Sequence, residues 1–129
     1  MDDMYRDYIL DHFKNPRNHG ELEKPDISYS DSNPICGDEI RIDMKLEDGR
    51  VSDIRFSGRG CAISTASASI LTETIKGLNL DEVKKLGRKE MLEMLGIPLT
   101  PVRVKCALLA LKAVKAGAYG LTSWPGEEE

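Results

Sequence analysis

Three cysteines in 129 residues, none of them in a Cys-x-x-Cys pair, are too few and too scattered for a disulfide framework. Their odd number points to thiols that stay reduced or hold metal, as in a reducing cytosol. Basic residues are not in surplus either: 18 Lys and Arg stand against 22 Asp and Glu, for a net charge of −4. That balance argues against a nucleic-acid partner and against an anionic membrane surface. No apolar run reaches the length needed to span a bilayer. The first residues, Met1-Asp2-Asp3-Met4-Tyr5-Arg6, lack the apolar core of a secretory signal, so a cytoplasmic protein is expected. No internal repeat and no linker divides the chain. One domain over residues 1–129 is expected, with 123–129 a loose acidic tail.

What is present is a mixed pattern of helices and strands. From Asp3 to Asn15, Tyr5, Ile9 and Phe13 recur every four residues, flanked by Tyr8 and Leu10, as in an amphipathic helix. Its aromatic stripe reads either as core packing or as a face for a partner. Pro16 ends the helix. Ile27 and Tyr29 hint at a short strand, and Asn33-Pro34-Ile35-Cys36-Gly37-Asp38 is a tight loop by composition. Ile40, Ile42, Met44 and Leu46 alternate with polar residues, the pattern of a half-buried strand. Asp48-Gly49 is a hairpin turn, and Val51 to Phe56 the return strand. Beyond it the pattern is helical: Ile63 to Ile75, then Asn79 as a cap for a helix to Leu86, then Arg88 to Leu95 closed by Gly96. Thr100-Pro101 opens a last helix to about Gly117.

Chemistry concentrates at the cysteines. Cys61 follows Gly58 and Gly60 and stands where a helix begins, among the unpaired N–H groups and positive dipole end that favour a thiolate. Cys36 also lies beside a glycine at a strand end, and Cys106 follows Lys105 with Arg103 near. Asp38 is two residues from Cys36, so in an extended chain both face the same way. Two readings stand at this point. Cysteine is often only a small buried residue, and aspartate after glycine often only caps a turn. Alternatively, three soft thiolates and one harder carboxylate form a labile site for zinc or an iron–sulfur cluster. His12 and His19 read as packing or surface residues, and Lys84, Lys85, Arg88 and Lys89 as a solvated basic face.

Several segments, in order, carry a resemblance: Tyr5 with Ile9-Leu10-Asp11-His12-Phe13; Asn15-Pro16-Arg17-Asn18-x-Gly20; Asn33-Pro34-x-Cys36-Gly37-Asp38; Gly58-x-Gly60-Cys61-x-Ile63-Ser64 with Ala66-Ser67-Ala68-Ser69; and Lys105-Cys106-Ala107-Leu108-Leu109. Together they resemble the IscU/NifU N-terminal/SufU family of iron–sulfur cluster assembly scaffolds over nearly the whole chain. The resemblance implies an α+β, SufE/NifU-like fold, with a small three-stranded antiparallel sheet packed against about five helices. It implies a scaffold rather than a metabolic enzyme, one that accepts sulfur from a cysteine desulfurase and joins it to iron. A [2Fe–2S] cluster forms and passes to acceptor apoproteins, with a homodimer around the cluster as one arrangement. Cys36, Asp38, Cys61 and Cys106 are then the ligands of cluster or metal, and Zn2+ or Fe2+ can fill the cluster-free site. Cys106 is the expected persulfide acceptor.

Two departures shape that expectation. Lys105 stands where IscU proteins carry histidine, so it is assigned an electrostatic role beside Cys106, pairing with Asp38 in the empty site. Arg103-x-Lys105-Cys106 resembles SufU, yet the chain is too short to hold the insertion of SufU proteins between the second and third cysteines. A zinc-dependent sulfurtransferase partner of a cysteine desulfurase is therefore the alternative function, and a thiol-redox enzyme a third. Leu99-Thr100-Pro101-Val102-Arg103 matches only part of the segment by which IscU recruits its dedicated Hsp70 chaperone, so that partner is not carried over.

Overall fold

The computed structural model describes residues 3–35 and 37–126, Asp3 by its backbone alone. Three strands form an antiparallel meander in the order β1 (Ile27–Asn33), β2 (Asp38–Glu47) and β3 (Arg50–Arg59). The helices are α1 (Asp3–Lys14), α2 (Ala62–Ile75), α3 (Leu80–Lys84), α4 (Arg88–Leu95) and α5 (Pro101–Tyr119). This is the α+β architecture that the resemblance implies.

One face of the sheet is apolar because its strands alternate. Ile40, Ile42 and Met44 of β2 and Ile54 and Phe56 of β3 are all buried. Val51 is buried on the same face although its odd position should turn it away. The register explains this: Lys45 pairs with Asp53 but Leu46 pairs with Val51, which leaves Ser52 as an extra residue. A one-residue bulge resets the side-chain parity, so Val51 regains the core. Ser52 Oγ donates to Lys45 O across the bulge at 3.1 Å.

Helices α2 and α5 cover this face, α2 over β3 and α5 over β1 and β2. Small residues let the two helices approach: Ala66, Ser67, Ala68 and Ser69 on α2, and Ala107, Ala110 and Ala113 on α5, are all buried. Gly117 does not stop α5 as expected, and the helix runs on to Tyr119. A Cβ at position 117 would stand 2.9 Å from the Tyr29 side chain, so this glycine serves close contact with β1. Gly120, at φ +71°, supplies the left-handed end. Strand β1 is longer than its two apolar residues suggested, because its polar half pairs with β2 as far as Asn33 opposite Asp38.

Helix α1 rests on α2. It buries Ile9 and His12 while Tyr5, Tyr8, Leu10 and Phe13 remain about 40% exposed. Its buried seam is thus narrow and partly polar. Ser69 Oγ accepts the Arg17 backbone N–H at 2.8 Å and lies 2.7 Å from His12 Nδ1. With the serine hydrogen donated to Nδ1, the ring proton sits on Nε2, 3.5 Å from Glu73. Burial, and then the Arg17 charge, hold the His12 pKa below its ordinary value. His19 is exposed and meets Phe56 edge to face.

At the C-terminal end, Trp124 is half-buried and Pro125 buried. The remainder of the acidic segment, 127–129, lies outside the described residues, as does Cys36. No helix among the described residues is long and apolar enough to cross a membrane.

Candidate functional site

Three elements deliver the site. Antiparallel pairing of β1 with β2 sets Asp38, the first residue of β2, opposite Asn33, the last of β1. Gly37 takes φ +75° there, and its N–H donates to Asn33 O at 2.8 Å. A side chain at such a φ is strained, which accounts for glycine between two candidate ligands. Asp38 itself is only 5% exposed.

Cys61 is the N-cap of α2. Its sulfur accepts the Ser64 N–H at 3.4 Å, while its carbonyl accepts the Ser64 hydroxyl at 3.2 Å. The sulfur thus does what a serine oxygen does at most helix starts and stays anchored to the dipole's positive end. Gly60 makes room for this, since a Cβ there would fall 2.2 Å from Ser64 Oγ. The Cys61 N–H donates to Asp38 Oδ1 at 3.1 Å, a direct bond between the two segments. Strand β3 continues through Gly58 to Arg59, two residues before the cap, because its pairing with β2 persists to Glu39 opposite Arg59. Cys106 lies in the second turn of α5, after the Thr100 cap and Pro101, and is 1% exposed.

The ligand atoms of Asp38, Cys61 and Cys106 all lie within 4.8 Å of one another. Bonds of about 2.3 Å from sulfur and about 2.0 Å from oxygen put tetrahedral zinc ligands roughly 3.5–3.8 Å apart. The three atoms are therefore within about 1 Å of that spacing, and two sulfurs with one carboxylate are a donor set suited to zinc or iron–sulfur chemistry. Cys61 is half-buried, so it is the more accessible of the two described sulfurs. The fourth residue expected here, Cys36, lies outside the described residues.

Lys105 turns its ammonium over the Trp124 ring, 5.2 Å from the centroid, and Lys112 places its own 5.1 Å away. Trp124 gave no sign of this role in the sequence, where it looked like part of an acidic tail. The sole cue was that Lys105 and Lys112 are seven apart on one helix and so share a face. Lys105 also lines a groove of about 390 Å³ with Arg88, Leu99, Pro101 and Val104. His12 lies elsewhere, in the α1–α2 seam.

The family model described as the NifU-like N terminal domain matches residues 4–125. The zinc-dependent sulfurtransferase SufU of Bacillus subtilis is 40% identical over 136 aligned positions, covering 91% of this chain and 90% of that protein. The iron–sulfur cluster assembly scaffold protein IscU of Escherichia coli K12 is 36% identical, covering 87% of this chain and 89% of that protein. A crystal structure from Fervidobacterium islandicum AW-1, provisionally described as a cluster assembly scaffold of the SUF system, superposes with a TM-score of 0.77 at 28% identity. It covers 86% of this chain and 93% of the other. With its family model matched almost end to end and relatives of both kinds at such identity, the chain belongs to the NifU-like N-terminal domain family of IscU and SufU proteins.

Proposed function

We propose that this protein is a scaffold for iron–sulfur cluster assembly, acting as one domain over residues 1–129. The observation that carries the reading is the convergence of Asp38, Cys61 and Cys106 from three separate elements onto one site. A carboxylate and two thiols, with Asp38 and Cys106 buried, are costly to gather without a ligand to hold. Cys36, two positions before Asp38 in the sequence, is the fourth ligand of this reading. The substrates are sulfur from a cysteine desulfurase and iron, the cargo is a [2Fe–2S] cluster, and the recipients are acceptor apoproteins.

Sulfur transfer needs one nucleophile. The thiolate of Cys106 attacks the outer sulfur of the donor's persulfide, the donor S–S bond breaks, and the donor cysteine leaves as thiolate. A thiol 1% exposed takes sulfur only when uncovered, so docking of the desulfurase and opening of the site are one event. Cys61 is the more exposed sulfur and the competing acceptor. Persulfide labelling of Cys106→Ser and Cys61→Ser variants after incubation with a desulfurase and its substrate separates them. Loss of label only in Cys61→Ser reverses the assignment.

A zinc-dependent sulfurtransferase is the second reading, favoured by Lys105 directly before Cys106 and by the 40% identity to the Bacillus subtilis protein. That alignment spans 136 positions, more than the chain's 129 residues, so the relative carries residues this chain lacks. Anaerobic reconstitution with ferrous iron and sulfide distinguishes the two. Visible absorption of a [2Fe–2S] centre, lost in Cys61→Ser, is expected. Stoichiometric zinc with no cluster makes the sulfurtransferase the correct reading.

A further inference from the structure

We propose that Trp124 is a positioning residue that holds the Lys105 ammonium off the metal-ligand site. The inference rests on the reading of Asp38, Cys61 and Cys106 as ligands. Lys105 is the residue next to Cys106, and a lysine side chain is long enough to reach a neighbouring carboxylate. An ammonium lodged among a carboxylate and two sulfurs would be a resident cation that any metal must displace. The fold offers that ammonium a different site. Lys105 and Lys112, two turns apart, project from one face of α5, with Cys106 about 100° further round the helix. Both ammonium groups lie over the indole of Trp124, at 5.2 and 5.1 Å from its centroid.

The ring is itself held in place. Lys112 is tied to Asp31 of β1 at 2.6 Å, with both side chains mostly buried, which fixes one of the two cations against the ring. Gly120 turns the chain out of α5, and Pro125 is buried one residue beyond the ring. Gly126 lies so close to Arg88 that a Cβ on it would stand 2.8 Å from Arg88 Cδ. The segment after α5 thus lies back along the helix to its N-terminal half, bringing an aromatic face to Lys105. An indole is the side chain whose face attracts a cation most strongly.

The test is zinc affinity, measured by titrating metal-free protein against a chromophoric chelator. Trp124→Leu should bind zinc roughly two- to thirtyfold more weakly, the range set by the strength of a cation–aromatic contact. Trp124→Phe should fall between it and wild type. The double variant Trp124→Leu/Lys105→Met should return to wild-type affinity, an outcome that mere loosening of the C-terminal segment would not produce. Lys105→Met alone should change affinity by less than about twofold, because the ammonium is already on the ring. Unchanged affinity in Trp124→Leu, or a loss that persists in the double variant, overturns the inference. So does marked tightening in Lys105→Met alone, a variant that leaves the segment packed. If wild type binds zinc no better than Cys61→Ser, the ligand reading itself falls and takes this inference with it.

Discussion

Replacing Gly58 by alanine tests how the β2–β3 pairing sets the site. Gly58 lies opposite Ile40 at φ +121°, where side chains are rarely found. An added Cβ would fall 2.2 Å from the Glu39 carbonyl oxygen and 3.3 Å from Ile40 Cα. Both obstacles are backbone, so neither can swing aside as a side-chain tip would. The unfavourable φ costs about 1–3 kcal/mol. Relieving the contact requires the strands to part by about 1 Å, an overpacking cost of a further 1–3 kcal/mol or so. A loss of about 4 kcal/mol is expected, which lowers Tm by roughly 10–20 °C for a chain of this size. Gly77→Ala is the control: its φ is +94°, but nothing lies within 4 Å of the added atom. That variant should lose only about 1–2 kcal/mol, from backbone strain alone. Urea unfolding followed by circular dichroism measures both. Because the displaced carbonyl belongs to the residue after Asp38, zinc affinity should fall in Gly58→Ala and hold in Gly77→Ala. Equal losses of stability in the two variants would show that the clash with Glu39 is not felt and the argument is wrong.

Two further outcomes follow from other parts of the molecule. His12 is held neutral in the fold, its pKa depressed chiefly by burial. Above about pH 6.5 the ring is neutral both folded and unfolded, while below that the unfolded chain takes up a proton the fold resists. Stability should therefore fall as pH drops below about 6.5, more steeply in wild type than in His12→Gln; parallel urea-unfolding curves at pH 7.5 and 5.5 would remove His12 as the cause. Asp38→Ala should keep a reconstituted [2Fe–2S] cluster longer than wild type, since a weak ligand and the access it gives for exchange are lost. Transfer to an apoprotein as fast as wild type would contradict that.

How far the sequence reached depends on the range of the interaction concerned. The caps of α2, α3 and α5 were legible because they are local: Asn79 with Glu82 forms a reciprocal capping box, and Thr100 accepts the Arg103 N–H at 3.4 Å. The β2 alternation was equally plain, and with it the buried face of the sheet. The bulge at Ser52 was not, since a one-residue register change leaves no compositional mark. Gly117 was misread as a helix end because glycine signals stops and close contacts alike, and only the nearness of Tyr29 decides between them. The site residues were picked out by motif and resemblance. The bond from the Cys61 N–H to Asp38 needed the fold, because the two lie 23 positions apart across the β2–β3 hairpin. The polar seam of His12 and Ser69, 57 residues apart, was hidden for the same reason. Trp124 was masked by its acidic neighbours, whose composition says nothing about a ring in contact with two lysines.

The wide spacing of Asp38, Cys61 and Cys106 along the chain has a thermodynamic consequence. In the unfolded polypeptide they are remote from one another, so the assembled set of donors exists only in the native state. A metal bound there is linked to folding, and at a hundredfold excess over its Kd adds about 2.7 kcal/mol to the native state. That is a sizeable share of the roughly 5–15 kcal/mol by which a domain is stable at all. A charged carrier and a discharged one are then two molecules of unequal durability. Handing over the cargo leaves the donor closer to unfolding, and so more exposed to proteolysis, until it is filled again.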